Sequence, residues 1–339
     1  MIALAGLVLA SGVLIRGYQN FKPPPPTVCG TPNGPPVTSP RVKLDDGRHL
    51  AYKEIGVPKE VAAYKVILVH GIDSSKDLYL PLPQEMLEEL GIYVLTFDRA
   101  GYGESDPNPK RSLKSDTFDI QELADKLDIG PKFYLIGISI GSYTTWGCLR
   151  YLPHRLAGVA LVVPLTNFWW PSFPPKLAAD AFCKSSAKSQ RRLQIAHHLP
   201  SLLHWWMNQK MELDPSVFSR RDIGTLKSMA QVSIPNKDKV RQQGLYESIF
   251  RDMKIGFGKW EFDPMELSNP FPNGGNTSVH LWQGGEDNLV PRELQRYLAN
   301  KLPWINYHEV PDGGHLIIHE GVLCEAIFRT LLLGEKPSL

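Results

Sequence analysis

Cysteine is scarce in this sequence, and no two cysteines are closely spaced. The 339 residues include only four, at Cys29, Cys148, Cys183 and Cys324, with no C-x-x-C pair among them. Such isolated cysteines argue against a zinc site and against a disulfide framework. Histidines and carboxylates also lack metal-ligand spacing, so the sequence predicts no metal and no other cofactor.

An excess of charge of either sign is missing as well. The formal net charge is +2, and charged residues make up 21% of the chain. The sequence therefore gives no reason to expect a nucleic-acid partner. The hydrophobic fraction of 42% is ordinary for a globular protein. The length allows one large α/β domain with an insertion, or two domains.

The N-terminal apolar run is shorter than a full membrane span. Residues 2–15 carry no charge, whereas a bilayer-crossing helix needs roughly 20 apolar residues. The basic residues that secretory signals place before the run are absent, and Arg16 and Lys22 follow it instead. We expect residues 1–22 to be an uncleaved anchor that associates with a membrane through residues 2–15 and leaves the following domain in the cytosol. The alternative is a cleaved signal for the secretory pathway.

Residues 23–40 are rich in proline and glycine. This composition is typical of a semi-rigid, extended spacer. The pattern predicts a linker that separates the apolar N-terminus from the folded body. The predicted boundary of that body lies near Arg41.

Strand-like and helix-like segments alternate over much of the remaining chain. A hairpin is predicted at 41–55. Further strands are predicted at 65–69, 92–97, 133–136, 159–163, 278–282 and 305–310, and helices at 82–90, 119–127, 291–301 and 319–333. Serial alternation of this kind predicts a doubly wound, mostly parallel sheet.

The alternation stops between residues 165 and 277. This segment has helix-like stretches near 176–198, 214–231 and 238–254 and no apolar strand run. It also contains clustered aromatic residues, namely Phe168, Trp169, Trp170, Phe173, Trp205 and Trp206. Because strands resume at 278, we interpret 165–277 as a helical insertion between two late strands of a core formed by 41–164 and 278–335.

A G-x-S-x-G motif lies between a predicted strand and a helix-compatible stretch. Residues 137–141 read Gly-Ile-Ser-Ile-Gly. This context is typical of a nucleophile elbow, a sharp turn that holds a serine hydroxyl at the carboxyl end of a sheet. Gly137 and Gly141 allow the close backbone approach that the turn needs, and Ser139 takes the strained position. Ser139 is therefore the predicted nucleophile.

Two later residues complete a predicted catalytic triad. Asp287 and His315 each follow a predicted parallel strand, at the same sheet edge as Ser139. The order Ser, Asp, His matches this type of site. We expect His315 to take the serine proton and Asp287 to fix the tautomer of the imidazole. Glu286 is the rival acid, because it is adjacent to Asp287.

Two backbone N–H groups are predicted to form an oxyanion hole. One belongs to Ile140, directly after the proposed nucleophile. The other belongs to Ile72, in the loop after the strand at 65–69, where Gly71 lets the backbone turn inward. His70 in that loop is assigned a supporting role.

Together these motifs resemble the α/β-hydrolase superfamily, in its lid-bearing branch. The resemblance rests on His70-Gly71, the Asp-Arg-Ala-Gly-Tyr-Gly-Glu-Ser run at 98–105, the elbow, residues 287–291 and Gly314-His315, and it covers about 41–335. The form at 70–75 is similar to that of plant hydrolases of this superfamily. The resemblance implies the α/β-hydrolase fold, with 165–277 as a helical lid, and esterase-like chemistry.

The resulting functional hypothesis is a serine hydrolase. It would cleave a carboxylic ester or thioester with a hydrophobic moiety, through an acyl-enzyme on Ser139. Relatives with an aspartate nucleophile are excluded, because position 139 is serine. Two alternatives stay open: a slow-turnover ligand-binding receptor of the same fold, and an acyltransferase. The expected partner is a small hydrophobic ester-like substrate.

Overall fold

The computed structural model describes residues 23–207, 217–232, 237–272 and 278–337. The predicted membrane segment at residues 2–15 lies outside these ranges. Among the helices within them, none has the length and apolar character needed to cross a bilayer.

An eight-stranded sheet forms the centre of the molecule. Its strands are β1 (Arg41–Lys43), β2 (His49–Gly56), β3 (Tyr64–Val69), β4 (Ile92–Phe97), β5 (Phe133–Ile138), β6 (Leu156–Val162), β7 (Val279–Gly284) and β8 (Ile305–Val310). Their spatial order is β1-β2-β4-β3-β5-β6-β7-β8. The pairings of β1 with β2 and of β2 with β4 are antiparallel, and the remaining pairings are parallel. The mostly parallel sheet expected from the sequence is confirmed.

Helices cover both faces of this sheet. The α-helices are α1 (Gln84–Glu89), α2 (Leu113–Lys126), α3 (Ser142–Tyr151), α4 (Pro175–Cys183), α5 (Ala187–His198), α6 (Leu203–Met207), α7 (Arg220–Val232), α8 (Lys237–Val240), α9 (Arg251–Gly256), α10 (Arg292–Lys301) and α11 (Gly321–Leu333). The alternation of side chains along β3 shows the two layers. Ile67 and Val69 pack in the cluster that contains side chains of α2, α3 and α10. Val66 and Leu68 pack in the cluster that contains side chains of α1 and α11. The sheet is therefore doubly wound.

One core helix begins earlier than its sequence pattern predicts. The pattern predicts a helix over 119–127, whereas α2 starts at Leu113. Ser112 and Ser115 form a reciprocal capping box, in which each side chain bonds the backbone N–H of the other. The usual box has Glu or Gln at the second position, so this helix start gives a weak signal in the sequence.

The segment between β6 and β7 contains helices and, among its described residues, no strand. The predicted helix at 176–198 is divided into α4 and α5, because Ser186 caps a new helix. The predicted helix at 238–254 is divided too, since Gly244 has a φ of +111° between α8 and a π-helix at Tyr246–Phe250. The division of the chain into core and lid domains stays a prediction.

The proline-rich residues 23–40 pack against the body, which differs from the expected spacer. Cys29 is only 3% exposed, and its N–H donates to Oε1 of Gln243 at 3.3 Å. The N–H groups of Thr38 and Ser39 donate to Glu104 Oε2 at 2.8 and 2.9 Å. Proline removes donors from a backbone, but the N–H groups of Cys29, Thr38 and Ser39 remain and bind buried acceptors of the body.

The Glu104 contact predicts a pH-dependent contribution to stability. Burial raises the pKa of Glu104, but the hydrogen bonds from Thr38 and Ser39 outweigh burial and lower the pKa from 4.5 to about 2. A carboxylate with a depressed pKa stabilises the folded state above its unfolded pKa and loses this effect as the pH falls towards its folded pKa. We therefore expect Glu104→Gln to lower the free energy of unfolding by about 1–3 kcal/mol at pH 7. The deficit should shrink as the pH falls below about 4.5.

Urea unfolding between pH 7 and pH 3 measures this difference. Glu85→Gln is the matched control, because Glu85 is an exposed residue of α1. Its effect should stay within about 0.5 kcal/mol at every pH. A Glu104→Gln deficit of constant size over the whole range would contradict the assignment.

Candidate active site

Ser139 lies at the turn between β5 and α3 in a left-handed conformation. Its φ is +51°, which is rare for a residue with a side chain. Its carbonyl accepts from the Ser142 hydroxyl at 2.6 Å and from the N–H of Leu165 at 3.0 Å. These bonds hold the turn in place, so the serine stays in its strained conformation.

The two glycines of the motif allow close contacts that a side chain would prevent. A Cβ on Gly137 would lie 2.0 Å from Oγ1 of Thr145. A Cβ on Gly141 would lie 2.4 Å from the carbonyl oxygen of His70. The turn therefore packs against α3 on one side and against the His70 loop on the other. These contacts explain why glycine is needed at both positions, as the motif in the sequence predicts.

The structure brings Ser139, His315 and Asp287 together. His315 Nδ1 lies 2.8 Å from Asp287 Oδ2, and His315 Nε2 lies 2.9 Å from Ser139 Oγ. A carboxylate can only accept, so Nδ1–H donates to Asp287 and Nε2 is left to accept from the serine hydroxyl. The other carboxylate oxygen accepts from the N–H groups of Leu289 and Val290, at 2.8 and 2.9 Å.

Glu286 takes no part in this arrangement. Its side chain is exposed, and its backbone N–H donates to the carbonyl of Gly313 at 2.8 Å. Asp287, by contrast, is buried and faces the imidazole. The geometry thus favours Asp287 over Glu286 as the partner of His315.

The surroundings of His315 favour its protonated form. Burial by itself lowers the pKa of the imidazole. The charge of Asp287, its hydrogen bond to Nδ1 and the charge of Asp222 outweigh burial, and the pKa of His315 is raised above its ordinary value. A histidine with a raised pKa, within hydrogen-bond distance of a hydroxyl, can accept the proton of that hydroxyl.

A cavity of about 1910 Å³ opens above Ser139 and His315. Ile72 and Ile140 also line it, as expected of residues that would form an oxyanion hole. A Cβ on Gly71 would lie only 3.3 Å from Cβ of Ser139, so the loop that carries Ile72 passes close to the serine. The donor roles of Ile72 and Ile140 stay a prediction. Over the described ranges, no three His, Cys, Asp or Glu side chains are grouped to hold a metal ion.

Most of the clustered aromatic residues of the insertion do not line this cavity. Of the six, all within the described part of the chain, Phe168 alone lines it. Trp170 is buried in the core cluster that also contains side chains of α2 and α3, while Trp205 and Trp206 are 50% and 44% exposed. Apolar residues of α7 and α9, such as Ile223 and Met253, line the cavity instead.

His70 supports the loop beside Ser139. Its Nδ1–H donates to the carbonyl of Gly71 at 2.7 Å, and its Nε2 accepts from the N–H of Arg99 at 3.1 Å. Accepting at Nε2 requires the neutral ring, and complete burial lowers the pKa of His70 well below its usual value. The supporting role expected for His70 agrees with these contacts.

A buried charge network beneath that loop is not evident from the sequence. Asp252 of α9 accepts from both terminal nitrogens of Arg99, at 2.6 and 2.5 Å, and from Arg111 at 2.8 Å. Arg99 also donates to the carbonyl of Gly71 at 3.1 Å. Burial raises the pKa of Asp252, but the two arginine charges outweigh burial and lower it. The insertion is thereby tied to the loop that carries Ile72.

A second carboxylate of the insertion, also not evident from the sequence, lies behind His315. Asp222 of α7 is fully buried and accepts from the backbone N–H groups of His315 and Leu316, at 3.0 and 2.7 Å. A Cβ on Gly314 would lie 2.1 Å from its Oδ2, so glycine is required there. The only sequence signal is the Ser219-x-x-Asp222 helix-cap pattern, which by itself predicts no contact with a distant loop.

Comparisons with known proteins agree with this architecture. The model of the alpha/beta hydrolase family matches residues 66–323, more than half of the chain. An esterase from Thermogutta terrifontis shares 22% identity over 83% of this chain and 93% of its own, with a TM-score of 0.52. An alpha/beta hydrolase fold protein from Chitinophaga pinensis shares 16% identity over 88% and 98%, with a TM-score of 0.58. An esterase from Exiguobacterium antarcticum shares 14% identity over 82% and 92%, with a TM-score of 0.53. At these identities the structural likeness shows the fold.

The packing at the elbow predicts the effect of adding one methyl group. Gly141→Ala is expected to lower the free energy of unfolding by about 1–3 kcal/mol, because the new Cβ must displace the backbone of His70. Gly224→Ala is the control, since a Cβ added to this exposed glycine of α7 would have no atom within 4 Å apart from its chain neighbours and the nearby backbone of its own helix. That substitution should raise the free energy of unfolding by about 0.5–1 kcal/mol. Equal effects of the two substitutions in urea unfolding would contradict the proposed packing.

Proposed function

The chain belongs to the alpha/beta hydrolase family, and we propose that it is a serine hydrolase that cleaves a carboxylic ester or thioester with a hydrophobic moiety. One observation carries this proposal: the unbroken chain of hydrogen bonds from Ser139 through His315 to Asp287. The similar structures from Thermogutta terrifontis and Exiguobacterium antarcticum are esterases, which supports an ester as the substrate class.

The first half of the reaction forms an acyl-enzyme. Ser139 Oγ attacks the carbonyl carbon while its proton passes to Nε2 of His315. Asp287 accepts from Nδ1 and stabilises the imidazolium that forms. The negative oxygen of the tetrahedral intermediate is stabilised by the N–H groups of Ile72 and Ile140. His315 then returns the proton to the departing alkoxide or thiolate as the bond to it breaks.

The second half of the reaction releases the acid. A water molecule takes the place of the alcohol or thiol and loses a proton to His315 as it attacks the acyl carbon. The ester bond to Ser139 breaks, and the proton moves from His315 to Ser139 Oγ. The carboxylic acid leaves, and the three side chains return to their starting state.

The cavity indicates the kind of substrate. Its wall includes apolar residues of α7 and α9, among them Ile223, Leu226 and Met253, beside charged residues such as Arg192 and Glu293. Apolar walls bury the hydrophobic part of a ligand, while a few polar groups orient it. We therefore assign to the insertion the role of a lid that covers the hydrophobic moiety of the substrate.

The triad assignment is tested by two neighbouring acids. Asp287→Asn should lower kcat for p-nitrophenyl butyrate by several orders of magnitude, because the imidazole loses its fixed tautomer; the corresponding loss in serine proteases is about 10⁴-fold. Glu286→Gln is the control and should stay within about twofold of the wild type, since Glu286 is exposed and does not contact His315. A reversed order of the two effects would contradict the assignment. Wild-type product formation that stops after one equivalent would contradict the proposed hydrolase function.

The lid assignment predicts a change in chain-length preference. Ile223 is 45% exposed and lines the cavity, so its side chain is available to an acyl chain. Ile223→Ser should lower kcat/KM for p-nitrophenyl octanoate on the order of tenfold, with little effect on the acetate ester, because apolar contact area is lost. Val232→Ser is the control, since Val232 lies on the same helix and is not among the described residues of the cavity wall. Equal preference ratios in the wild type and the Ile223 variant would show that α7 does not contact the acyl chain.

A further inference from the structure

We propose that Asp222 of the insertion is a positioning residue, which holds the loop carrying His315 in the geometry that the reaction at Ser139 needs. This inference rests on the function proposed above and extends it. It gives the insertion a second role, because Asp222 would position the catalytic histidine while other residues of the insertion cover the substrate cavity.

The contact is specific to two consecutive backbone groups. Oδ2 of Asp222 accepts from the N–H of His315 at 3.0 Å, and Oδ1 accepts from the N–H of Leu316 at 2.7 Å. Both acceptors are fully buried with the side chain. The carboxylate therefore fixes the main chain at the catalytic histidine, from which the imidazole extends towards Ser139 and Asp287.

Asp222 is itself held rigidly. It is the third residue of α7, and it exchanges hydrogen bonds with Ser219 in a helix-capping arrangement: the N–H of Ser219 donates to Oδ2 at 2.9 Å, and the N–H of Asp222 donates to the Ser219 hydroxyl at 3.1 Å. Gly314 leaves the space in which the carboxylate sits. Across the described ranges, no Lys or Arg forms an ion pair with Asp222, so backbone N–H groups satisfy its charge.

The carboxylate of Asp222 also raises the pKa of the His315 imidazole. His315 is faced by Asp287 from the loop after β7, by Asp222 from α7, by Ser139 from the elbow and by His319 from its own loop. Asp287 contributes more than Asp222, and both raise the pKa of His315. Removing the charge of Asp222 should therefore lower this pKa. The acid limb of the pH–rate profile, where kcat falls as His315 becomes protonated, should then move to lower pH.

A neighbouring contact provides a control for simple docking of the insertion. Arg221, the residue before Asp222, forms ion pairs with Asp312 at 2.6 Å and with Glu320 at 2.8 Å. These pairs tie the same helix to the same region of the core. They lie partly in solvent and do not contact His315, so they separate docking of the helix from positioning of the histidine.

The test compares Asp222→Asn, Asp222→Glu and Arg221→Gln in the full-length protein. Asp222→Asn should lower kcat for p-nitrophenyl butyrate by about 10–100-fold with KM within about threefold, because a small displacement of the base is costly. Its acid limb should move to lower pH. Asp222→Glu keeps the charge and should leave the acid limb near that of the wild type while kcat stays reduced. Arg221→Gln should leave kcat within about twofold and the acid limb unchanged.

Two readouts do not depend on hydrolysis. In the wild type, hydrogen exchange should show the His315 and Leu316 amides protected, and Asp222→Asn should raise their exchange by an order of magnitude or more. NMR of the imidazole should show His315 titrating at lower pH in that variant. If these changes occur in a protein that does not hydrolyse esters, the positioning contact stands and the proposed function fails.

Three results would overturn the inference. One is a folded Asp222→Asn protein with the kcat, acid limb and amide exchange of the wild type. Another is an equal loss of kcat in Asp222→Asn and Arg221→Gln, which would reduce the contact to docking. The third applies if Asp222→Asn does not fold: rapid exchange of the His315 and Leu316 amides in the wild type would then show that the contact does not hold the loop.

Discussion

Burial of two carboxylates determines how the insertion meets the core. An ionised carboxylate taken out of water must find charged or N–H partners, because an unpartnered one costs several kcal/mol. Asp252 pairs with Arg99 and Arg111. Asp222 accepts from the backbone N–H groups of His315 and Leu316. These contacts join the insertion to the core, and they place a carboxylate behind each of the two loops that face Ser139.

The chemistry proposed for Ser139 depends on both loops at once. Through Arg99, one carboxylate supports the backbone of Gly71, next to the proposed oxyanion donor at Ile72. The other supports the backbone of His315, whose side chain is the proposed base. A nucleophile, its base and its oxyanion donors must agree in position to a fraction of an ångström, and here separate elements carry them. The insertion supplies the carboxylates on which both loops depend, Asp222 directly and Asp252 through Arg99.

Much of the core was predictable from local sequence, because its determinants are local. The buried strands are apolar runs, and β8 lies where its pattern predicts it. The elbow needs two glycines around Ser139, and that spacing is visible in the sequence. Asp222 and Asp252 were not predictable, since their partners lie about 90 and 150 residues away along the chain. The packing of residues 23–40 on the body is not evident from the sequence for the same reason, because Thr38 and Ser39 bind the distant Glu104.

Covalent capture of the nucleophile tests the central claim most directly. The full-length protein would be treated with a fluorophosphonate, digested and mapped by mass spectrometry, beside the Ser139→Ala and His315→Ala variants. We expect one phosphonyl group per chain, attached to Ser139, with no adduct in the first variant and much slower modification in the second, since His315 activates the hydroxyl. An adduct on another residue, or modification that persists in Ser139→Ala, would contradict the account.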